Sequence, residues 1–431
     1  MEGLKDMNRR FFVKGISGAA LVSRAVAAGD RLNVAVIGIR GRGRSIAASL
    51  AGMPEANITA LCDVDENVYP RAAKAVEERN GKRPPFVKDP RRILDDRSVD
   101  AVFIATPDHW HAPATLLACD AGKDVYVEKP ASHNLREGRL MVEAARRHQR
   151  VVQVGTQSRS RPSTLRAIGH VHAGRIGRVL MAKAWNVQLR ENIGHKNDSP
   201  VPAGVDFETW TGPAPFLPFN ENRFHYTWHW NWNYGTGDMG NDGVHQMDIA
   251  RWALGVGAPR RVSGMGRKLF FDDDQQTPDT MNITFEFEGG KALLFEMRIW
   301  NPYGLEGQDN GVAVYGTEGS VQIGRWAKQS WGFRIYDRSG KLAHDETDGQ
   351  DGPELHHFRN FFASVRDRTR PHADIETGHQ STMLCHLGNI VARTGRNVRF
   401  DGVKEAIEGD HEANSLLRRE YRPHWAAPKG V

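Results

Sequence analysis

The sequence predicts an α/β protein of two domains: a doubly wound parallel sheet, followed by an α+β domain with a mainly antiparallel, open-faced sheet. Three observations lead to this prediction. Short apolar runs alternate with helical patterns between residues 31 and 155, which is typical of parallel βαβ units. From 156 to 402, apolar and polar residues alternate in runs that turn at glycines, which favours antiparallel hairpins. A chain of 431 residues is also too long for one comfortable core.

In the first domain, apolar runs predict strands at 33–38, 58–63, 100–105, 124–128 and 151–155. The segments between them have the helical spacing of apolar residues and predict helices at 44–52, 67–80, 112–122 and 135–148. Because helices connect the strands, the strands should lie parallel and end at one edge of the sheet.

The second domain is expected to be built from hairpins and late helices. Two hairpins are predicted, at 283–300 and 312–323, each with glycines at its turn. Helical patterns at 354–366 and 379–394 precede a polar tail at 403–431.

The first predicted strand runs into a glycine-rich turn, and a helical pattern follows it. Glycines there let backbone N–H groups approach a pyrophosphate at the start of the helix. The residues expected to bind a cofactor at this turn are Gly38, Ile39, Arg40, Gly41, Arg42 and Gly43. The alternative is a structural turn that holds no cofactor. The flanking strand and helix, with an acid about 25 residues on, favour a dinucleotide.

The acid is Asp63, which ends the second predicted strand. A carboxylate at this point can accept hydrogen bonds from a ribose diol. It would also repel the 2′-phosphate of NADP, so NAD is the expected cofactor. Arg40, Arg42 and Arg44 weaken that preference, because they add positive charge beside the turn.

Residues suited to the same site follow the strand predicted at 100–105. We expect Thr106, Pro107, His109 and His111 to line the cofactor crevice, because parallel strands end at one ligand-binding edge. Two histidines one residue apart can also suggest a metal. No third ligand has suitable spacing, so no metal is expected.

Glu128, Lys129 and Pro130 follow at the end of the strand predicted at 124–128. Proline keeps the preceding residue extended, which holds Lys129 at the same edge. We expect Glu128 and Lys129 beside the cofactor, with the Lys129 ammonium bound to a substrate hydroxyl. The alternative is a solvated surface lysine.

A dense aromatic segment lies between residues 225 and 234. Aromatic faces pack against the C–H surfaces of sugars, and neighbouring amides bind hydroxyls. The residues expected to bind substrate in this segment are Tyr226, Trp228, His229, Trp230 and Trp232. The alternative is that these rings pack in the core.

His245 lies near the start of a predicted helix, which Gly255 is expected to end. Histidine is the natural proton acceptor when an alcohol is oxidised near neutral pH. Asp242 and Asp248 lie about one helical turn on either side of it. The alternative is a histidine whose hydrogen bonds are satisfied within the core.

Taken together, the glycine turn at 38–43, Glu128-Lys129-Pro130 and Gly243-x-His245-x-x-Asp248 resemble the Gfo/Idh/MocA oxidoreductase family. The resemblance implies a Rossmann domain joined to an open-faced α/β domain. It also implies NAD(P)-dependent chemistry on sugars or cyclitols, and a homo-oligomer (dimer or tetramer) formed through the open sheet. By the same resemblance, Lys129 contacts the substrate and His245 is the general base.

One position departs from the family pattern, because Asn241 stands where an aspartate is usual, four residues before His245. An amide orients a hydroxyl but cannot share a proton with it. Asp242 is the nearest substitute, although its side chain should point elsewhere. Some exported members that resemble this chain cleave glycosides with a tightly bound NAD and no net redox change, and the departure raises that alternative.

We therefore expect an exported NAD-dependent oxidoreductase that transfers hydride between a nicotinamide cofactor and a secondary hydroxyl of a sugar, glycoside or cyclitol. Lys129, His245, Asn241 and Asp242 are the residues expected at its catalytic centre, and Lys129, Asn241 and His245 are also expected to bind the substrate. The alternatives are the NAD-using glycoside hydrolase and a non-catalytic protein that binds sugar or dinucleotide.

Residues 1–30 are expected to form a twin-arginine export signal. Arg9 and Arg10 precede a mildly apolar stretch, and the run from Ala25 to Ala27 fits a cleavage site. The predicted location is therefore the periplasm or the exterior of the cell. The stretch is too short and too polar to span a bilayer permanently.

Charge and composition limit the classes of molecule that the protein is expected to bind. The net charge is +6 and the pI is about 9.2, yet acidic and basic residues are interspersed. No lysine or arginine block accompanies a nucleic-acid motif, so no nucleic-acid partner is expected. The expected partner is a small carbohydrate.

Overall fold

A computed structural model describes residues 31–326, 331–348 and 352–430. The predicted export signal at 1–30 lies outside the described residues. The chain forms a six-stranded parallel sheet and a ten-stranded, mostly antiparallel sheet. The fold class predicted from the sequence is confirmed.

The first sheet has the strand order β3-β2-β1-β4-β5-β6, and every neighbouring pair is parallel. Its strands are β1 (Leu32–Ile37), β2 (Ala56–Cys62), β3 (Phe86–Val87), β4 (Ala101–Ile104), β5 (Asp124–Val127) and β6 (Val152–Val154). The helices between them are α1 (Arg42–Ala51), α2 (Tyr69–Asn80), α3 (Arg91–Asp95), α4 (Asp108–Asp120) and α5 (Leu135–Arg147). The order reverses direction between β1 and β4, and such a switch point opens a crevice at the carboxyl edge.

The observed elements of this domain lie within a few residues of the predicted ones, with two additions. The sequence analysis does not identify β3 and α3, because they are two and five residues long and too short to show a period. Helix α4 begins at Asp108, four residues earlier than predicted.

The second sheet has the order β14-β13-β12-β11-β7-β10-β9-β8-β15-β16. Its strands are β7 (Val179–Val187), β8 (Arg261–Arg267), β9 (Thr280–Glu286), β10 (Ala292–Arg298), β11 (Gln308–Gly316), β12 (Gly319–Trp326), β13 (Trp331–Asp337), β14 (Leu342–Thr347), β15 (Val398–Asp401) and β16 (Ala406–Glu408). Strands β7 and β10 pair in parallel, and the remaining pairs are antiparallel. Both predicted hairpins are present, as β9–β10 and β11–β12.

The remaining helices are α6 (Pro162–His172), α7 (Phe207–Thr211), α8 (Val244–Leu254), α9 (Pro353–Asp367), α10 (Ile375–Thr394) and α11 (His411–Ser415). Short 3₁₀ turns occur at Glu66–Val68, Gln157–Ser160, Glu221–Arg223, Thr227–Trp230 and Glu288–Gly290, and a π-helical turn at Met239–Gly243. Helices α8 and α10 cover one face of the second sheet. Gly255 ends α8 in the left-handed conformation, as predicted.

Helix α9 belongs to the core of the first domain, although it lies far along the chain. Its rings Phe358 and Phe361 pack edge-on against Phe103 of β4, with ring centroids 5.4 Å apart in each pair. Phe358 also contacts Tyr126 of β5. The first domain is therefore not one continuous stretch of sequence, and the core on one face of its sheet includes the helix at 353–367.

The segment predicted as a polar tail at 403–431 is structured over its described part. It contains β16, which pairs with β15 at the edge of the second sheet, and α11. Beyond α11 the chain crosses back to the first domain, where Ala426 is buried in the core. Among the described residues, none of the helices is both long and apolar enough to cross a membrane.

Candidate active site

A cavity of about 340 Å³ lies at the carboxyl edge of the first sheet, where the two domains meet. The glycine turn after β1 and the ends of β2, β4 and β5 form one side of it. The aromatic segment at 224–229 and Asn241 form the other side. The cofactor crevice predicted at this edge is thus a cavity that both domains line.

The glycine turn leaves room for a ligand at one point and packs tightly at two others. Gly38 has φ +83°, and a Cβ there would lie 2.7 Å from the carbonyl oxygen of Ala105. A Cβ on Gly43 would lie 1.7 Å from the carbonyl oxygen of Gly38. At Gly41 a Cβ would meet no atom within 4 Å. Gly43 therefore allows close packing of helix and strand, and Gly41 opens the turn to the cavity.

Helix α1 begins directly after Gly41, and no side chain caps its first N–H groups. Its first turn contains no acidic residue. Free N–H groups and the positive end of the helix dipole form an anion site. The turn therefore fits a pyrophosphate. Gly38, Arg40, Gly41 and Arg42 line the cavity, whereas Ile39 and Gly43 do not.

Asp63 lies at the end of β2 and lines the same cavity. Its two carboxylate oxygens accept hydrogen bonds from the backbone N–H groups of Ile39 at 2.7 Å and Asp65 at 3.0 Å. Burial raises the pKa of Asp63 to about 6, although these hydrogen bonds oppose the rise. Asp63 is therefore mostly ionised at neutral pH, and each oxygen keeps acceptor capacity for a ribose hydroxyl.

Glu128 lines the cavity, but its carboxylate is occupied by other protein groups. Oε1 accepts hydrogen bonds from Arg42 Nε at 2.8 Å and Gln157 Nε2 at 3.2 Å. A second acid, Glu354 at the start of α9, also pairs with Arg42. Burial pushes the pKa of Glu128 up, yet the charges of Arg42 and Lys129 outweigh it and lower the pKa. Glu128 and Arg42 thus stabilise the cavity wall through an ion pair.

Lys129 lies at the end of β5, where its ammonium contacts the second domain. Its Nζ donates to the backbone carbonyl oxygen of Asn241 at 2.7 Å and to Oδ1 of the same residue at 3.1 Å. An ammonium has three donors, so one remains for a ligand. Lys129 forms no ion pair with any residue that the structure describes.

Asn241 lies in the π-helical turn that precedes α8, and its amide is held from both sides. Oδ1 accepts from Lys129, and Nδ2 donates to Asp238 Oδ1 at 2.8 Å. Asp238 is fully buried and forms a two-point ion pair with Arg190. The amide is therefore a neutral link between an ammonium and a buried carboxylate.

Asp242 does not reach Lys129. Its carboxylate pairs with Arg190 and accepts a hydrogen bond from Gln188 Nε2 at 3.0 Å. It is not among the residues that line the cavity. The expectation that its side chain points away from the usual aspartate position agrees with these contacts.

His245 lies in the first turn of α8, one helical turn after Asn241, and is not among the residues that line the cavity. Neither of its ring nitrogens has a hydrogen-bond partner within the described part of the chain. Burial and the charge of Lys129 lower the pKa of His245 to about 4. The ring is therefore neutral at pH 7, with a free nitrogen.

Residues after β4 divide between the cavity and the core. Thr106, Pro107 and His111 line the cavity, and Thr106 Oγ1 is buried without a hydrogen-bond partner among the described residues. His109 faces the core, where its Nε2 lies 2.9 Å from the carbonyl oxygen of Trp210. Burial lowers the pKa of His109 to about 3. An unpartnered hydroxyl at the wall is a polar group that a bound ligand can satisfy.

Asp108 is a cavity-lining carboxyl that the sequence analysis does not identify. It is 2% exposed, and its Oδ2 accepts a hydrogen bond from Thr236 Oγ1 at 2.7 Å. Burial raises the pKa of Asp108 to about 7, although Thr236 and Lys129 oppose the rise. A carboxyl that titrates near neutral pH inside a cavity is suited to acid–base work.

The aromatic segment contributes only part of its rings to the cavity. Tyr226, Trp228 and His229 line it, and His229 stacks on Trp228 with ring centroids 3.6 Å apart. Trp230 is 3% exposed and packs in the interior. Trp232 lies under the guanidinium of Arg393 instead, outside the cavity wall. The segment is therefore divided: substrate binding stays a prediction for the rings on the cavity wall, and core packing is observed for Trp230.

Three residues near the site carry weak or no signals in the sequence. Asp238 precedes Asn241 at helical spacing, which is a usable signal. Asp108 directly follows Thr106 and Pro107, which were identified. Arg190 lies 48 residues before Asp238 and has no local pattern, because only the packing of the two segments brings it there. No group of three metal-ligating side chains is found among the described residues.

Family models match most of the chain. Residues 32–156 match "Oxidoreductase family, NAD-binding Rossmann fold". Residues 210–322 match "GFO/IDH/MocA C-terminal domain", and 341–427 match "Oxidoreductase family, C-terminal alpha/beta domain". The last match includes α9, the helix that returns to the first sheet.

Two curated relatives and one solved structure illustrate the similarity. Inositol 2-dehydrogenase 2 of Saccharopolyspora erythraea is 31% identical over 287 residues, which are 64% of this chain and 69% of the relative. A glycosyl hydrolase family 109 protein of the same organism is 33% identical over 43% of this chain and 41% of its own length. Levoglucosan dehydrogenase in complex with NADH and levoglucosan has a TM-score of 0.65 at 20% identity, over 86% of this chain and 99% of that one. This last likeness shows a shared fold.

The two glycines of the turn should respond oppositely to an added methyl group. The methyl group of Gly43→Ala would collide with the backbone of Gly38. This variant should therefore be less stable than the wild type by about 1–3 kcal/mol. Gly41→Ala meets no protein atom and should change stability by less than about 0.5 kcal/mol, while lowering affinity for NAD. Thermal denaturation and calorimetric titration measure the two effects. Equal stability of the two variants would contradict the packing described for Gly43.

The amide of Asn241 should not tolerate a carboxylate while Asp238 remains. Asn241→Asp places two carboxyl groups within hydrogen-bond distance, so one must hold a proton. We expect a loss of about 1–3 kcal/mol of stability from the broken donor–acceptor pair. The double variant Asp238→Asn/Asn241→Asp exchanges donor and acceptor and should recover part of it. A single variant as stable as the wild type at pH 7 would show that this bond is unimportant.

Proposed function

Because the chain belongs to the Gfo/Idh/MocA oxidoreductase family, we propose that it oxidises or reduces a secondary hydroxyl of a sugar or cyclitol with NAD. The observation that carries this proposal is the ammonium of Lys129, which lines the cavity and keeps one free donor. Lys129 follows β5 and Asp63 follows β2, and two strands separate them. At the usual strand spacing they are roughly 14 Å apart, which suits a dinucleotide that reaches the substrate.

The residues that would hold the cofactor fit an anionic dinucleotide. The N–H groups at the start of α1 suit the pyrophosphate, and Asp63 suits the ribose diol. Thr106 Oγ1 offers an unpartnered hydroxyl on the same wall. A bound nicotinamide supplies the hydride acceptor or donor for the carbinol carbon. Asp63 is ionised at neutral pH and favours NAD over NADP by repulsion of a 2′-phosphate.

Lys129 orients the reacting hydroxyl. Two of its donors are fixed on Asn241, so the third has a defined direction and can bind the oxygen of a substrate alcohol. His245 accepts the hydroxyl proton in this proposal, because its ring is neutral and its nitrogens are unpartnered among the described residues. In relatives' names the substrates are inositol and levoglucosan, which carry such secondary hydroxyls.

The ionisation of Asp108 changes the net charge of the cavity. It lines the wall, and its carboxyl is within electrostatic range of Lys129. When ionised, its negative charge stabilises the ammonium of Lys129, the group proposed to bind the substrate oxygen. The proposed reaction should therefore depend on the ionisation of Asp108.

A second candidate is cleavage of a glycoside with NAD retained and no net redox change. Asn241 favours it, because a neutral amide occupies the position where a carboxylate is usual and leaves Lys129 without an acidic partner. One relative is described as a glycosyl hydrolase family 109 protein, over less than half of either chain.

Two further properties are also proposals. Export by the twin-arginine route rests on Arg9 and Arg10 within residues 1–30. Self-association is supported by exposed apolar side chains on the second domain, among them Leu269, Phe270 and Tyr303.

One assay separates the two activities and tests Lys129. Purified protein with NAD is incubated with inositols and anhydrosugars, and separately with nitrophenyl glycosides. Stoichiometric NADH supports the dehydrogenase, and release of nitrophenol without net NADH supports the hydrolase. Lys129→Met should lower kcat/KM for whichever substrate responds by about 10- to 100-fold, the worth of one charge-assisted hydrogen bond.

The matched control is Lys404→Met, since the Lys404 side chain is 78% exposed and is not among the residues that line the cavity. It should leave the rate unchanged. Full activity of Lys129→Met, with NAD still bound, would remove Lys129 from the mechanism.

The pH dependence should report Asp108 rather than His245. Asp108 has a pKa of about 7 and His245 of about 4, so of these two groups only Asp108 changes charge between pH 6 and 9. Asp63, with a pKa of about 6, completes its ionisation at the acid end of this range. We expect kcat/KM to rise with pH through a midpoint near 7. Asp108→Asn keeps an acceptor for Thr236 and should abolish this rise.

His245→Ala provides the contrast. It should lower kcat by about 100-fold or more at every pH while the midpoint near pH 7 remains. A midpoint that survives in Asp108→Asn and disappears in His245→Ala would reverse the two assignments.

A further inference from the structure

The last described residues, 417–430, form a strap across the outside of the dinucleotide cavity. The strap starts beside α5, where Leu417 accepts a hydrogen bond from the backbone N–H of Arg136. It crosses the segment after α7 and reaches α4 and α3. Near its end, the carbonyl oxygen of Gly430 accepts hydrogen bonds from the Arg136 guanidinium at 2.9 and 3.2 Å. Both ends are thus tied to one helix of the first domain.

Two side chains anchor the middle of the strap. Tyr421 donates its hydroxyl to the buried carboxylate of Glu137 on α5. Arg422 donates to the carbonyl oxygens of Gly212 at 2.7 Å and Glu208 at 3.1 Å, next to cavity-lining Trp210. The strap therefore connects the segment around Trp210, which lines the cavity, to helix α5 of the first domain.

Trp425 is the strap residue that lines the cavity. Its ring lies 5.7 Å from Trp110 of α4, and the guanidinium of Arg91 lies 4.8 Å from its centroid. It is nevertheless 38% exposed, which is unusual for a ring held so firmly. Part of the indole is thus available to a ligand.

The wall around Trp425 is apolar. Trp110, Ala114 and Leu117 line it from one face of α4, at helical spacing, and Leu94 lines it from α3. Asp63 and Val64, at the end of β2, line the same cavity. The backbone N–H of Asp63 donates to the carbonyl oxygen of Val87, which ends β3 four residues before Arg91. In a doubly wound sheet, the adenosine half of a dinucleotide lies beside the acid that ends the second strand.

We propose that the C-terminal strap completes the adenine subsite, with Trp425 as its outer wall, and that it slows the exchange of the dinucleotide. The inference rests on the proposed NAD cofactor. A purine has a π face that stacks on an indole, and the Trp425 indole closes the side of the subsite that the first domain leaves open. Because the strap is anchored at both ends, the bound adenine leaves only when this segment moves.

The test compares the two halves of the dinucleotide by calorimetry on the purified protein. Trp425→Ala should weaken binding of ADP-ribose by about ten-fold, the usual effect of losing an aromatic partner of a base. Binding of nicotinamide mononucleotide should not change. Preloaded NAD should leave the variant faster than the wild type in a dilution experiment. Trp425→Phe, which keeps an aromatic face, should restore most of the affinity.

Trp300→Ala is the matched control, since Trp300 lies outside the cavity wall on the second domain. Thermal midpoints without ligand check that each variant folds. If the wild type binds ADP-ribose and Trp425→Ala binds it equally well, the inference about the strap is overturned and the proposed cofactor is not. If the folded wild type binds neither NAD nor ADP-ribose, the proposed function itself fails.

Discussion

The chemistry proposed for the cavity depends on the positive charge of Lys129, whose ammonium is hydrogen-bonded to the uncharged residue Asn241. Glu128 and Lys129 are adjacent in sequence, yet the structure assigns their charges to different tasks. The carboxylate of Glu128 is neutralised by Arg42 and so stabilises the wall. The ammonium of Lys129 is held by two oxygens of Asn241 without an acid. The ammonium therefore keeps one donor for a ligand, and its two hydrogen bonds to Asn241 connect the first sheet to the second domain.

Most of the acids around this ammonium have an arginine partner. Asp238 and Asp242 share Arg190, and Asp248, in the same helix as His245, pairs with Arg159 at 2.8 Å. A buried carboxylate without such a partner would be costly. Asp108 has only hydroxyl and electrostatic support, and burial raises its pKa to about 7.

Much of the fold was predictable from local pattern, because each buried strand and each amphipathic helix leaves its own period in the sequence. The strand ends at Asp63 and Lys129 could likewise be placed at one edge. The role of α9 could not be predicted, since its phenylalanines suit any apolar partner and only tertiary packing selects Phe103. For the same reason the sequence does not distinguish Trp228, on the cavity wall, from Trp230, in the core.

The replacement of aspartate by Asn241 is explained by its neighbours rather than by its own chemistry. Asp238 already supplies a carboxylate at hydrogen-bond distance from residue 241, so a second one would have to hold a proton. The amide instead donates to Asp238 and accepts from Lys129, which orients both of its ends. The carboxylate of Asp238 is thus separated from the Lys129 ammonium by the amide of Asn241. A substrate hydroxyl then meets an ammonium that forms no ion pair among the described residues, which is compatible with net oxidation and is the feature that favours transient oxidation.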